Sequence, residues 1–344
     1  LKALQMSLEL HTGPLFKAVL LEDGPTEPCA LLLLGHYLVA DVESWQILVG
    51  DVLSWYQQLT EKGSIAFPSR PTSFKQWAER LHEYAQSSAL QEFPYWFAQV
   101  NQSVMPLPRD YPEGPNIIES SRAVEMALSV EETNILLQDV LKQQDVQMDA
   151  ILIMAIAWTF SQWSGHRSLL VRLFSHGREP LFEDMDVSRT VGALATDFPV
   201  YVDITTAQDE AEALQMVKAQ LKNIPHHGIG YGILRELGRS HEAEMLRATP
   251  EPEVVVNYIG EGSNEALRSE VAVRGPITAH YFDPQSDRTY TFQITGRVLD
   301  GRFHTQWDYS EQLHRRSTVE FIATNALQAV RALILKVRKS VLRH

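Results

Sequence analysis

Apolar residues recur along this chain at two periods, one fitting strands and the other helices. Leu15–Leu21 and Ala30–Val39 read as strands separated by the turn-rich Asp23–Pro28. The run Ala30–Leu34 is apolar without interruption, the pattern of a strand covered on both faces. Trp45, Leu48, Val49, Val52, Trp55 and Tyr56 follow helical spacing. They predict a helix from about Trp45 to Leu59, capped by Asp41 or Ser44. Phe74, Trp77, Ala78, Leu81 and Ala85 form one face of a second helix, Phe74–Gln86, behind the cap Ser73.

Met105 to Asn116 holds four prolines and a glycine, which marks a loop or a boundary. A strand follows around Val124–Leu128. Ser129 and Glu132 then form a capping box ahead of a helix ending near Lys142. Asp149–Trp163 is apolar nearly all round and predicts a central buried helix, with a short buried strand at Leu169–Leu173. Further strands (Val254–Tyr258, Thr289–Val298, Phe303–Tyr309) alternate with helices (Glu210–Lys222, Ser317–Leu342). No solenoid-length repeat occurs. The pattern predicts an α/β chain of the α+β type with mixed sheets. It has two lobes, 1–120 and 121–344, dividing between Arg109 and Val124. Its 344 residues agree with two domains at about 150 residues each.

Composition narrows the function. Thirty Lys and Arg against 43 Asp and Glu leave a net charge of −13, which repels phosphate backbones, so no nucleic-acid partner is expected. The single cysteine, Cys29, excludes a disulfide framework and a cysteine zinc site, and fits a reducing, cytoplasmic setting. Leu1–Leu10 lacks the marks of a targeting segment, and the apolar stretch Ala150–Phe160 is too short to cross a bilayer. No membrane partner is expected, and the chain is expected to be a monomer. His226-His227 could ligate a metal, but adjacent side chains rarely serve one ion; a solvated turn before Gly228 is the simpler reading, and no metal is expected. His36 ends an apolar strand as a hydrogen-bonded structural histidine would, and the tryptophans at 45, 55, 77 and 158 sit at core positions of helices.

The larger constellation says more. Gly35-His36-Tyr37-Leu38-Val39-Ala40-Asp41-Val42-Glu43-Ser44-Trp45 resembles the His-His-Xaa-Xaa-Xaa-Asp-Gly-Val-Ser-Trp signature of condensation and epimerization domains of nonribosomal peptide synthetases. Ser175-His176-Gly177-Arg178-Glu179 and Asp186-Val187-Ser188-Arg189-Thr190-Val191-Gly192 resemble the epimerization branch's Glu-Gly-His-Gly-Arg-Glu…Asp-Val-Ser-Arg-Thr-Val-Gly block. Pro225-His226-His227-Gly228-Ile229-Gly230-Tyr231-Gly232 and Val256-Asn257-Tyr258-Ile259-Gly260 are similar to its Pro-Xaa-Xaa-Gly-Ile-Gly-Tyr-Gly and Phe-Asn-Tyr-Leu-Gly blocks. The resemblance implies a chloramphenicol acetyltransferase-like fold, two lobes forming a V with a tunnel between them. It also implies a family domain beginning upstream of Leu1, with the first lobe incomplete.

The implied chemistry is removal and return of the α-proton of an aminoacyl or peptidyl thioester. A peptidyl carrier protein presents that thioester on its phosphopantetheine arm, so no cofactor is bound directly and the arm is the substrate's tether. Neighbouring synthetase modules are the other implied partners. Two proton-transfer groups must flank the carbon. The resemblance assigns them to the positions of Tyr37 and Phe174. A tyrosine hydroxyl ordinarily titrates near pH 10, roughly a thousandfold short of its anion at neutral pH. Phe174 cannot carry a proton. The chain also departs at Val42, where the signature has Gly, and at Ala193–Phe198, where the block has Trp-Phe-Thr-Ser-Leu-Tyr.

The other site residues follow by resemblance. Asp41 would hold its loop through a buried ion pair, with Arg178 as partner, and Trp45 would be structural. Asn257 and Tyr258 would lie near the tunnel, Asn257 donating to a thioester carbonyl or making only a strand-end hydrogen bond. Three readings stand. The first is an epimerization-like module that binds its carrier-borne ligand without epimerizing it. The second is an active epimerase with a relocated base among His36, His176, Glu179 and Asp197, His176 being best suited because an imidazole works near pH 7. The third is a condensation-type acyl transferase. Carrier docking would need a local basic patch, for which Arg235, Arg239 and the His314-Arg315-Arg316 cluster are candidates beside the bland reading of solvated charges.

Overall fold

The computed structural model describes residues 2–22, 24, 29–261 and 283–341. Their contacts form two units. One takes the chain up to Ser87 together with the distant segment Ser175–Thr196. The other takes Ser88–Phe174 and the described chain from Asp197 onward.

In the first unit β1 (Phe16–Leu21) and β2 (Ala30–Gly35) pair antiparallel, Phe16 opposite Gly35. Helix α1 (Val42–Lys62) starts at Asp41, whose side chain accepts from the Ser44 N–H, and stops at Gly63 in the left-handed region (φ 69°). Helix α2 (Phe74–Ala85) opens with a capping box between Ser73 and Gln76. Each such cap satisfies helix-end N–H groups that have no partner within the helix. Two expectations are corrected. Strand β2 is not covered on both faces: Leu31 is 48 % exposed and only Leu34 is buried, so little among the described residues packs onto the face that carries Leu31. Nor does β2 reach Val39. The chain turns after Gly35, where the His36 ring captures the Leu38 N–H and the His36 carbonyl that of Val39. Of the four tryptophans placed in helix cores, only Trp77 is fully buried; the others are half-exposed.

The second unit is built on a six-stranded sheet, preceded by helix α3 (Phe93–Val100). Its strands are β3 (Ser121–Ala127), β4 (Ser168–Ser175), β5 (Thr196–Asp203), β6 (Val254–Glu261), β7 (Phe292–Leu299) and β8 (Arg302–Ser310), in the order β3-β8-β7-β6-β4-β5. Strands β3, β8 and β7 run antiparallel, whereas β7, β6 and β4 are parallel. Helix α4 (Met148–Ser164) lies between β3 and β4 in the chain, α5 (Glu210–Lys222) after β5, and α6 (Arg316–Val341) after β8. The apolar pattern of α4 is matched by its surroundings: Ala150–Ala157 are all buried, and it packs against α5, α6 and β6.

Strand register sorts the sheet's two faces, because successive side chains point to opposite sides. Val171, Leu173, Val254, Val256, Phe292, Ile294, Trp307, Tyr309 and Val124 share the buried face. At about 1.5–3 kcal/mol for each large apolar side chain buried, this face dominates the unit's cohesion. The opposite face carries Arg172, Asn257, Gln293, Thr295, Gln306, Asp308 and Glu125. Antiparallel sheets often show this one-sided polarity.

Candidate functional site

The residues singled out in the sequence divide between the units. His36, Tyr37, Asp41, Trp45, His176, Arg178 and Glu179 belong to the first; Phe174, Asp197, Asn257 and Tyr258 belong to the second.

Asp41 is the hub of the first unit. Only 1 % of it is exposed, and its carboxylate accepts six hydrogen bonds. Oδ1 accepts from the Ser44 N–H at 2.8 Å, the Ser44 hydroxyl at 2.7 Å and Arg178 Nη2 at 2.9 Å. Oδ2 accepts from Arg178 Nη1 at 3.0 Å and from the N–H groups of Leu194 and Ala195 at 2.9 and 3.0 Å. Burial pushes the Asp41 carboxyl up, but the donors of Arg178 and Ser44 outweigh it and hold it down at about 2. Arg178 spends its other donors on the carbonyls of His176 and Thr190 and on the Ser44 hydroxyl. Here a buried ion pair is fully hydrogen-bonded, the condition under which attraction can offset lost hydration.

The segment Ser175–Thr196 is thereby stitched to α1 and α2. Thr190 donates to the Thr72 carbonyl, Arg189 pairs with Asp51, and Phe182 meets the ring of Trp77 edge-on. Gly177 is required where it stands. Its φ is +66°, and a β-carbon there would fall 1.7 Å from the Leu194 carbonyl oxygen. Leu194 and Ala195 reach Asp41 through backbone N–H groups, so their side-chain departures from the block leave the cradle standing.

The imidazoles near this hub are already committed. His36 Nδ1 accepts the Leu38 N–H at 3.1 Å, and His176 Nδ1 accepts the Arg178 N–H at 2.9 Å. A neutral imidazole has one lone pair on nitrogen; with Nδ1 accepting, the proton sits on Nε2. In this arrangement neither ring offers a free basic nitrogen. His176 Nε2 lies 3.5 Å from Glu179, whose buried carboxylate also accepts from the Ser175 hydroxyl. Tyr37 is 61 % exposed and Val42 is also exposed. Trp45 stacks on Phe16 at 5.8 Å between ring centroids and lies over Gly35.

In the second unit Phe174 occupies the end of β4, 44 % exposed, on the same side of the strand as Arg172. Asp197 is tied to Arg172 at 2.5 Å, which in turn pairs with Glu251; Glu251 also holds Arg235. Burial works against the Arg172 charge, but the Asp197 carboxylate raises its pKa overall. Asp197 is thus engaged by a guanidinium. Asn257 and Tyr258 point to opposite faces of β6, Asn257 beside Thr295 and Tyr258 beside Gly296, so only Asn257 shares the face of Arg172.

His226 and His227 form the predicted turn, both with positive φ (43° and 51°). His226 Nδ1 lies 2.7 Å from the buried carboxylate of Glu92, which also accepts the indole N–H of Trp96. Sequence reasoning missed the Glu92 contact, whose partners stand 134 residues apart. Gly230 packs against the same carboxylate: a β-carbon there would meet Glu92 Oε2 at 1.9 Å. No group of three or more His, Cys, Asp or Glu side chains able to hold a metal is found among the described residues. Of the candidates for a local basic patch, His314 is fully buried, Arg316 pairs with Glu320 and Arg235 is held by Glu251, whereas Arg239 and Arg315 are exposed. A surface hollow of about 390 Å³ lined by Gln144, Thr206, Glu212, Gln215 and Met216 contains none of the residues above.

The condensation-domain family matches residues 1–342. The chain is 35 % identical over 334 residues to one linear gramicidin synthase protein of Brevibacillus parabrevis, covering 96 % of this chain and 4 % of that protein. It is 36 % identical over 340 residues to a chondramide synthase of Chondromyces crocatus, covering 96 % of this chain and 8 % of that one. It therefore spans only a small fraction of these curated relatives. The crystal structure of the epimerization domain from the third module of tyrocidine synthetase B aligns with a TM-score of 0.84 and 30 % identity, over 96 % of this chain and 74 % of that chain. The chain belongs to the condensation-domain family of nonribosomal peptide synthetases, and its mixed α/β fold is the one seen in an epimerization domain.

Proposed function

We propose that this chain is an epimerization-like module that binds an aminoacyl or peptidyl thioester borne by a peptidyl carrier protein and leaves its α-carbon unchanged. One observation carries the reading: the two flank positions assigned to proton transfer hold a phenol, Tyr37, and a hydrocarbon ring, Phe174. The nearby alternatives add little, since Nδ1 of His36 and of His176 accepts a backbone N–H and Asp197 is engaged by Arg172. Each general acid–base step contributes about 10² to 10⁴ in rate, so absence of both leaves little racemization. The Asp41–Arg178 cradle keeps the frame of the first unit, to which Tyr37 belongs.

The test is exchange of the α-proton into heavy water from a carrier protein loaded with an aminoacyl thioester. No exchange above the protein-free rate is expected; detectable exchange refutes the reading. The double variant Tyr37→His with Phe174→Glu, run alongside, is expected to gain exchange.

A further inference from the structure

The polar face of the six-stranded sheet holds one row whose chemistry changes from end to end. Strand register places Asn257 beside Thr295, Thr295 beside Gln306 and Gln306 beside Glu125, on β6, β7, β8 and β3 in turn. The first three are half-buried and uncharged, whereas Glu125 is exposed and ionisable. Among the described residues the side chains of Asn257, Thr295 and Glu125 have no hydrogen-bond partner, and Glu125 acts on the Asp308 carboxylate by charge alone. Gln306 donates to both carboxylate oxygens of Asp308 at 3.0 Å, which fixes its amide and leaves Oε1 to accept.

We infer that this row is a binding site for the chain of a peptidyl ligand, with its free N-terminal ammonium at Glu125. The inference rests on the carrier-bound reading above and extends it from the thioester to the peptide behind it. Neutral amide and hydroxyl groups match the donors and acceptors of a peptide backbone, and the Glu125 carboxylate at the far end, with the Asp308 carboxylate beside Gln306, suits the one positive charge such a chain carries. The lengths agree. Adjacent strands lie about 4.8 Å apart, so four positions span about 14 Å. An extended peptide covers about 3.3–3.6 Å per residue, which makes the row about four residues long. Asn257 is the end nearest the site residues Phe174 and Arg172, because β6 neighbours β4 in the sheet.

The experiment measures binding of a carrier protein loaded through an amide-linked, non-hydrolysable pantetheine with alanine, tetra-alanine or N-acetyl-tetra-alanine. Tetra-alanine is expected to bind about tenfold more tightly than alanine. Thr295→Val with Gln306→Met is expected to cut that advantage to less than about threefold, at a melting temperature within a few degrees of the parent. Glu125→Gln is expected to abolish a preference of about threefold for the free amine over its acetylated form. Equal binding of alanine and tetra-alanine, unchanged by these substitutions, overturns the row and leaves the carrier-bound reading standing. Failure of all three loaded carriers to bind overturns both.

Discussion

Arg178 holds Asp41 through two guanidinium nitrogens, at 2.9 and 3.0 Å, across a separation of 137 positions in the chain. Both groups are buried, so either one alone would be a charge without a counterpart. Asp41→Ala is expected to destabilise the first unit by about 3–5 kcal/mol, read from the midpoint of urea unfolding. Because the partners share one network, Asp41→Ala with Arg178→Met should cost less than the two single changes added together. An unchanged melting temperature for Asp41→Ala would refute the role.

Acid should unfold the chain in two stages. Burial between Phe292 and Trp163 pushes His314 down to about 4, away from its usual 6.5. A group depressed in the folded state stabilises above its unfolded pKa and loses that stability as pH falls. The His314 share, about 3 kcal/mol, should therefore vanish between pH 6.5 and 4. The groups facing it are Asp110, Arg109, Glu253 and Arg288. His314→Phe keeps a ring against Phe292 and should flatten the stability–pH curve in that interval, as read by urea titration at successive pH values.

The second stage belongs to Asp41, held at about 2 in the folded chain against an ordinary 3.8. Its contribution is complete above 3.8 and should disappear as pH falls from there toward 2. Asp41→Asn removes this titration, and its unfolding should show no step in that interval.

Gly230→Ala offers a check on the Glu92 contact. The added methyl would fall 1.9 Å from Glu92 Oε2, so the carboxylate must leave His226 or Trp96. A loss of about 1–3 kcal/mol is expected, together with a changed ring-proton shift for His226 in NMR spectra. Retention of both stability and shift would show that the carboxylate is not seated there.

How much of this was legible depended on whether the cause was local. Helix α4 could be read because burial on all sides leaves an apolar residue at nearly every position. Ser73 was legible as a cap because it stands directly before an apolar helical face, and Ser129 because its Glu132 partner lies three residues away. Exposure of β2 was not, since an apolar run records what a strand could bury rather than what covers it. Arg178 was found through its motif, whereas Arg172, Glu251 and Glu92 have no local signature, their partners being set by tertiary packing. The commitment of the His36 and His176 nitrogens is likewise a property of turns that only three dimensions reveal.

Since Ser175–Thr196 completes the first unit, biosynthesis imposes an order on its assembly. The emerging N-terminal portion must wait on the ribosome, its aspartate lacking a counter-ion, until Arg178 and the amides of Leu194 and Ala195 have been translated. A genetic fusion or module swap joined at Ser87 would sever that unit from its closing piece, whereas a junction outside it would not.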